Sequence, residues 1–185
     1  MPSSINDDGK TRYCTPIERL ISETAIDSYT TDSRDPKVRA QLDSLTTDEL
    51  FDVPVVDPVA ADCCLSGLWL LHNYLDESHE ISQDIKTPDG SYWHGIMHRL
   101  ERDYWNSKYW FGRIGRHPAL LDIARHALIE LNSGSSASTF DIGTVWNPSK
   151  FTDFVEAEGM AAGQRLAYLE WQGLFDHCYF KARGE

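Results

Sequence analysis

Apolar residues in this chain recur at three- and four-residue intervals, in blocks opened by a capping side chain or a proline, and two-residue alternation is almost absent. Asp57-Pro58 heads the block Val59, Ala60, Cys63, Leu65, Leu68, Trp69 and Leu71. His117-Pro118 heads Leu120, Leu121, Ile123, Ala124, Leu128 and Leu131, and Asn147-Pro148 heads Phe151, Phe154 and Val155. An Asx side chain can take an otherwise unpaired N–H of a first helical turn, and proline there gives up a donor that has no partner in any case. Each pair therefore predicts a helix start. Further helices are predicted from Pro16, through Val38, Leu42 and Leu45, from a Ser91 cap over Tyr92 to about Asn106, and from Ala161 to Phe180. Turns are expected at Thr30–Pro36 and Thr87–Gly90, and a flexible loop at Asn132–Thr139. Only Val53 to Val56 has any strand character. The fold class expected is all-α: a single-domain helical bundle of about six helices over residues 15–185, behind a polar, mobile tail at 1–14.

A chain of 185 residues can bury a core without disulfides. Cys14, Cys63, Cys64 and Cys178 show no CxxC spacing, so they are expected as free thiols serving mainly in packing. With 29 acidic and 17 basic residues the net charge of −12 repels phosphate backbones and anionic membranes. Neither nucleic acid nor membrane is expected as a partner. No apolar run approaches the ~20 residues of a membrane span and the start lacks an apolar signal core, so a cytoplasmic location is expected.

Residues at i, i+4 and i+7 of a helix fall within a sector of about 60°. His94, His98 and Glu101 have that spacing, and so do His72, Asp76 and His79 if the Asp57-Pro58 helix persists that far. On helical wheels Leu65, Leu68 and Trp69 lie near His72, which points it inward, whereas His94 and His98 fall at the edge of the face formed by Trp93, Met97, Leu100 and Tyr104. Two neighbouring helices could bring these faces together, in the manner of metal sites built between the helices of a bundle. Glu170 and His177 on the last helix could add a ligand or an acid. The candidate metal ligands are His72, Asp76, His79, His94 and His98, for a divalent ion such as Zn, Fe or Mn; the candidate catalytic residues are His79, His94, His98 and Glu101. The plainer alternative is a set of hydrogen-bonded core histidines, since seven histidines will produce helical spacings by chance. There is no HExxH, glycine-rich phosphate loop or serine elbow.

Lys108, Arg113, Arg116 and His117 lie beside Tyr109, Trp110 and Phe111. Cations next to rings could orient a carboxylate, phosphate or enolate, with Arg113, Arg116, Tyr92 and Trp110 as substrate-binding candidates. Surface ion pairs and core aromatics are the equally simple alternative.

The run SYWHGIMHRLERDYWNSKYWFGRIGRHP, residues 91–118, with Asp76-Glu77-Ser78-His79 and Ile81-Ser82-Gln83 upstream, resembles a family of uncharacterised bacterial and fungal proteins. The resemblance covers about forty residues and implies no particular activity or cofactor; it only draws attention to this segment.

The expectation is thus a small helical enzyme, of lyase, isomerase or metal-dependent type, acting on a small oxygenated or anionic organic molecule of specialised metabolism. A metal would polarise a carbonyl or activate water or oxygen. Without one, paired histidines near neutral pKa would move protons in isomerisation, dehydration or cyclisation. The rival expectation is a non-catalytic small-molecule-binding or assembly protein, a homodimer among the options, using Tyr104 to Phe111 as pocket or interface.

Overall fold

The computed structural model describes residues 12–22, 34–133 and 138–185, and the helices found there are α1 (Thr15–Ser22), α2 (Pro36–Ser44), α3 (Pro58–Leu71), α4 (Leu75–Ser82), α5 (Pro88–Leu100), α6 (Tyr104–Phe111), α7 (Ala119–Asn132), α8 (Pro148–Glu158) and α9 (Met160–Arg183). A 3₁₀ turn, Asp48–Leu50, is the other helical element, and no strand occurs among the described residues. Val53 to Val56 forms no strand, and bends occur at Val53 and Val56. Val56 N donates instead to Ala182 O at the end of α9. The greater part of the Thr30–Pro36 turn, the centre of the Asn132–Thr139 loop and most of the N-terminal tail lie outside the described residues. Tyr13 and Cys14, expected in that tail, are buried, and Tyr13 Oη donates to Asp176 on α9 at 2.5 Å.

The all-α class holds, but nine α-helices among the described residues exceed the six or so expected. Two runs that read as continuous are broken. α3 stops at Leu71 with His72 as its C-cap, and Asn73 at φ 62 turns the chain into α4. α5 stops at Leu100, and Arg102 at φ 66 turns it into α6. Asparagine tolerates the left-handed region, whereas arginine adopts it at a cost that the surrounding packing must offset. The Asx-Pro starts are where the spacing put them: Asp57 accepts from Ala60 N at 3.0 Å and Asn147 from Lys150 N at 3.0 Å. α5, however, is capped by Thr87, which accepts from Gly90 N at 3.3 Å with Pro88 as first residue. Ser91 lies inside that helix because the Thr-x-x-Gly bond takes the orphan N–H one turn earlier.

Helix α5 is the centre of the arrangement, buried from Asp89 to Arg99 on every face. It packs against α3, α4 and α6, while α9 packs against α3, α7 and α8. Such close approach needs small residues at two crossings. A Cβ on Gly95 would come within 2.5 Å of the Phe111 ring, and one on Gly67 within 2.8 Å of Trp93. All four cysteines are free and buried, as packing residues should be. Among the described residues no helix is long and apolar enough to cross a membrane.

Across this core runs one fully buried ion pair. Arg99 Nη2 donates to Glu170 Oε2, and Glu170 Oε1 accepts from Trp146 Nε1 at 2.7 Å and Tyr92 Oη at 3.1 Å. The Arg99 guanidinium lies over the rings of Phe151, at 4.7 Å, and Phe111, at 5.5 Å. The pair ties α5 to α9 and fixes the half of α5 that carries the histidines.

Candidate metal centre

His94 and His98, one turn apart on α5, meet His79 from α4. One ring nitrogen from each lies within 4.8 Å of the other two, with His94 and His98 buried and His79 half-buried. His94 and His98 stack at 4.7 Å between centroids and 20° between planes, and His79 sets its edge to both, at 4.7 and 5.4 Å. Trp110 of α6 closes the other side, stacked on His94 at 4.0 Å and 19°. The short turn between α4 and α5 makes the helices neighbours, and the i, i+4 spacing puts two imidazoles on one face.

Burial disfavours a charged His94, and His98, His79 and Lys86 add positive charge nearby, so its pKa is pushed down to about 3. Burial also lowers His98, opposed by the carboxylates of Glu101 and Asp103. A neutral imidazole keeps a lone pair, which is the form a metal requires. His94 Nδ1 is buried without a hydrogen-bond partner. An orphaned buried ring nitrogen is costly, and a bound cation close to it is one way to remove that cost. His98 touches groups outside the cluster: its Nε2 lies 3.1 Å from the Asn106 amide nitrogen, a contact that a metal on Nε2 would have to displace, and its Nδ1, 3.3 Å from Glu101, is buried without a hydrogen-bond partner, like that of His94. A carboxylate behind an imidazole orients a metal ligand and raises its basicity.

The remaining candidates fall in different places. Asp76 is exposed on the first turn of α4, and His72 is the buried C-cap of α3. The break at Asn73 takes His72 off the helical face of His79, whereas Asp76 stays three residues before His79 on α4 but is exposed and outside the cluster. Glu101 caps α5 rather than extending its face, and reaches the centre only through His98. Tyr92 lies in the core with its hydroxyl on Glu170, away from solvent. Arg113 lies over Tyr109 at 4.6 Å and Trp110 at 5.3 Å, donates to the Tyr109 hydroxyl, and has no carboxylate partner among the described residues. Lys108 pairs with Asp153 at 2.7 Å, and Arg116 lines a separate cleft. Glu170, suggested as a ligand or acid from the last helix, is committed to Arg99.

A second cluster joins residues far apart in sequence. Asp89 Oδ1 accepts from His117 Nε2 at 2.8 Å and His177 Nε2 at 3.0 Å, and Oδ2 accepts from Lys181 Nζ at 2.7 Å. His117 Nδ1 accepts from Ala119 N at 3.2 Å, which assigns the hydrogen to Nε2. Burial raises the Asp89 pKa, but these three donors outweigh it and bring the carboxyl far below its usual range. The group has the residue types of a metal site, yet its contacting atoms already satisfy one another, and Lys181 supplies the positive charge. It reads as a clamp between α5 and α9. Nothing in the local pattern around Pro88-Asp89 signals it, because its partners lie 28 to 92 residues away.

No protein-family model, curated protein or solved structure matches the chain.

Proposed function

We propose that the chain is a small helical enzyme that holds a divalent transition metal on His79, His94 and His98 and uses it on a small oxygenated or anionic organic molecule. The observation that carries this reading is the convergence of three imidazole nitrogens within 4.8 Å, one of the three rings remaining half-buried and reachable from outside. Three protein ligands leave a position for water or substrate, as in catalytic rather than structural zinc sites. An all-imidazole set, with Asp76 and Glu101 outside it, suits zinc or iron better than manganese, which prefers oxygen donors. A cation there would polarise a carbonyl or acidify a bound water. Supporting the anionic substrate is Arg113, a cation beside Trp110 without a carboxylate of its own among the described residues. Metal-free proton transfer is the weaker reading, since a His94 pushed to about 3 is mismatched to work near neutrality.

The test is elemental analysis of protein purified without chelator or nickel resin, with His79→Ala, His94→Ala, His98→Ala and His72→Ala alongside. Near-stoichiometric metal, lost in the first three variants and kept in the fourth, is the expected result. Protein that resists loading with zinc or ferrous iron, or metal retained in His94→Ala, overturns the reading.

A further inference from the structure

On another part of the molecule an open cleft of about 680 Å³ lies between the end of α6, the start of α7 and the start of α8. None of the three clustered histidines lines it. Its lining is mixed: Ile114, Leu121, Val145 and Trp146 supply the apolar part, of which Leu121 and Val145 are 62% and 45% exposed, and Asn147 and Ser149 lie at its rim. Leaving such surface open to water costs roughly 25 cal/mol per Å² relative to covering it. Isolated exposed apolar residues mean little, but here they share one concavity of a size that takes a small ligand.

The charge of the cleft runs against that of the chain. In a protein with 29 acidic residues, no Asp or Glu lines it among the described residues. Its cation is Arg116, which has no carboxylate or hydrogen-bond partner among them. His117, at the floor, offers no competing charge site, because its two ring nitrogens are taken by Asp89 and by Ala119 N. The first turns of α7 and α8 both open onto the cleft, at Pro118 and at Asn147 to Ser149, so the positive ends of two helix dipoles face it. Water-exposed apolar walls next to a lone guanidinium complement a molecule with an apolar body and one anionic head.

We infer that this cleft is a binding site for a small amphipathic carboxylic acid, its carboxylate on Arg116 and its hydrocarbon portion against Leu121, Val145 and Trp146. The site stands apart from the proposed metal centre and needs no metal. A guanidinium–carboxylate pair is bidentate and charge-assisted, whereas an alcohol of equal length keeps only the apolar contact. The head group is therefore what distinguishes specific binding from simple greasiness.

Isothermal titration in the presence of chelator, with octanoate, octanol and octylammonium as probes, tests this directly. Octanoate is expected to bind at one site about ten-fold or more tighter than octanol, following the usual strength of a hydrogen bond to a charged group. Octylammonium should not bind. Arg116→Gln should bring octanoate to the level of octanol, Leu121→Asp should abolish binding, and both positions are exposed, so neither change should disturb folding. His94→Ala should leave octanoate binding intact, which separates this inference from the metal reading. Octanoate that binds no tighter than octanol, or equally well to Arg116→Gln, overturns the proposal, as does the absence of saturable binding.

Discussion

Removing one member of the Arg99–Glu170 pair should damage the protein more than removing the attraction between both. Both side chains are fully buried, so neither charge can return to water without opening the core. In Glu170→Gln the amide oxygen can still accept from Tyr92 and Trp146, but the Arg99 cation is left with only the faces of Phe151 and Phe111. An uncompensated buried charge costs about 3–5 kcal/mol. In Arg99→Met the Glu170 carboxylate keeps two neutral donors and loses its cation, at a comparable cost. The double variant Arg99→Met/Glu170→Gln carries no buried charge, keeps the Tyr92 and Trp146 bonds, and leaves one amide group short of a partner, at about 1–3 kcal/mol. The expected coupling is therefore at least ~3 kcal/mol, well beyond the ~0.5 kcal/mol within which independent sites add. Urea unfolding of the four proteins at pH 7.5 measures it. For a chain of this length each single variant should melt about 10 °C lower. Additive losses would refute the reasoning, because they would mean that the two charges do not neutralise each other in the core.

The pH dependence of the metal-free protein follows from His94. Its folded pKa of about 3 lies below the usual 6.5, so the unfolded chain takes up the proton first. The contribution is fully present above about pH 6.5 and is lost as the pH falls toward 3; by pH 4.5 the loss amounts to about 2–3 kcal/mol relative to pH 7.5. His94→Gln should show a correspondingly smaller loss over that range in urea titrations with chelator, and an unchanged slope would count against the burial argument. On the outer face of α6, Trp105 is 76% exposed and stacks with Tyr109 at 6.1 Å and 11°. If the rival assembly role holds, Trp105→Ala should shift the protein toward monomer in sedimentation velocity with metal content unchanged. A wild-type protein that is already monomeric at high concentration would remove that role.

The legible parts of the fold are those written over a few adjacent residues. Asp57-Pro58 and Asn147-Pro148 start helices because a capping oxygen and the N–H it accepts from are three residues apart. The pairing of His94 with His98 is equally local, since one helical turn brings them together. The breaks at Asn73 and Arg102 were not legible. Neither is glycine, the usual mark of positive φ, and the first takes His72 off the helical face that the spacing gave it with His79. Burial of His94 and His98 was also underread, because a helical wheel assumes one buried face, whereas α5 is covered on all sides.

Sequence alone determined the all-helical class, most helix starts, the acidic surface and the presence of a His-bearing face on α5, all of which depend on composition or on short-range geometry. Tertiary structure decided which histidines converge, that Trp110 walls the centre and that Glu170 neutralises Arg99 across 71 residues. It also decided that Asp89 gathers His117, His177 and Lys181. These are contacts between distant segments, whose geometry follows from helix crossings and from turns at residues with no distinctive local signature. A one-dimensional pattern holds the residue types for such contacts without holding their distances.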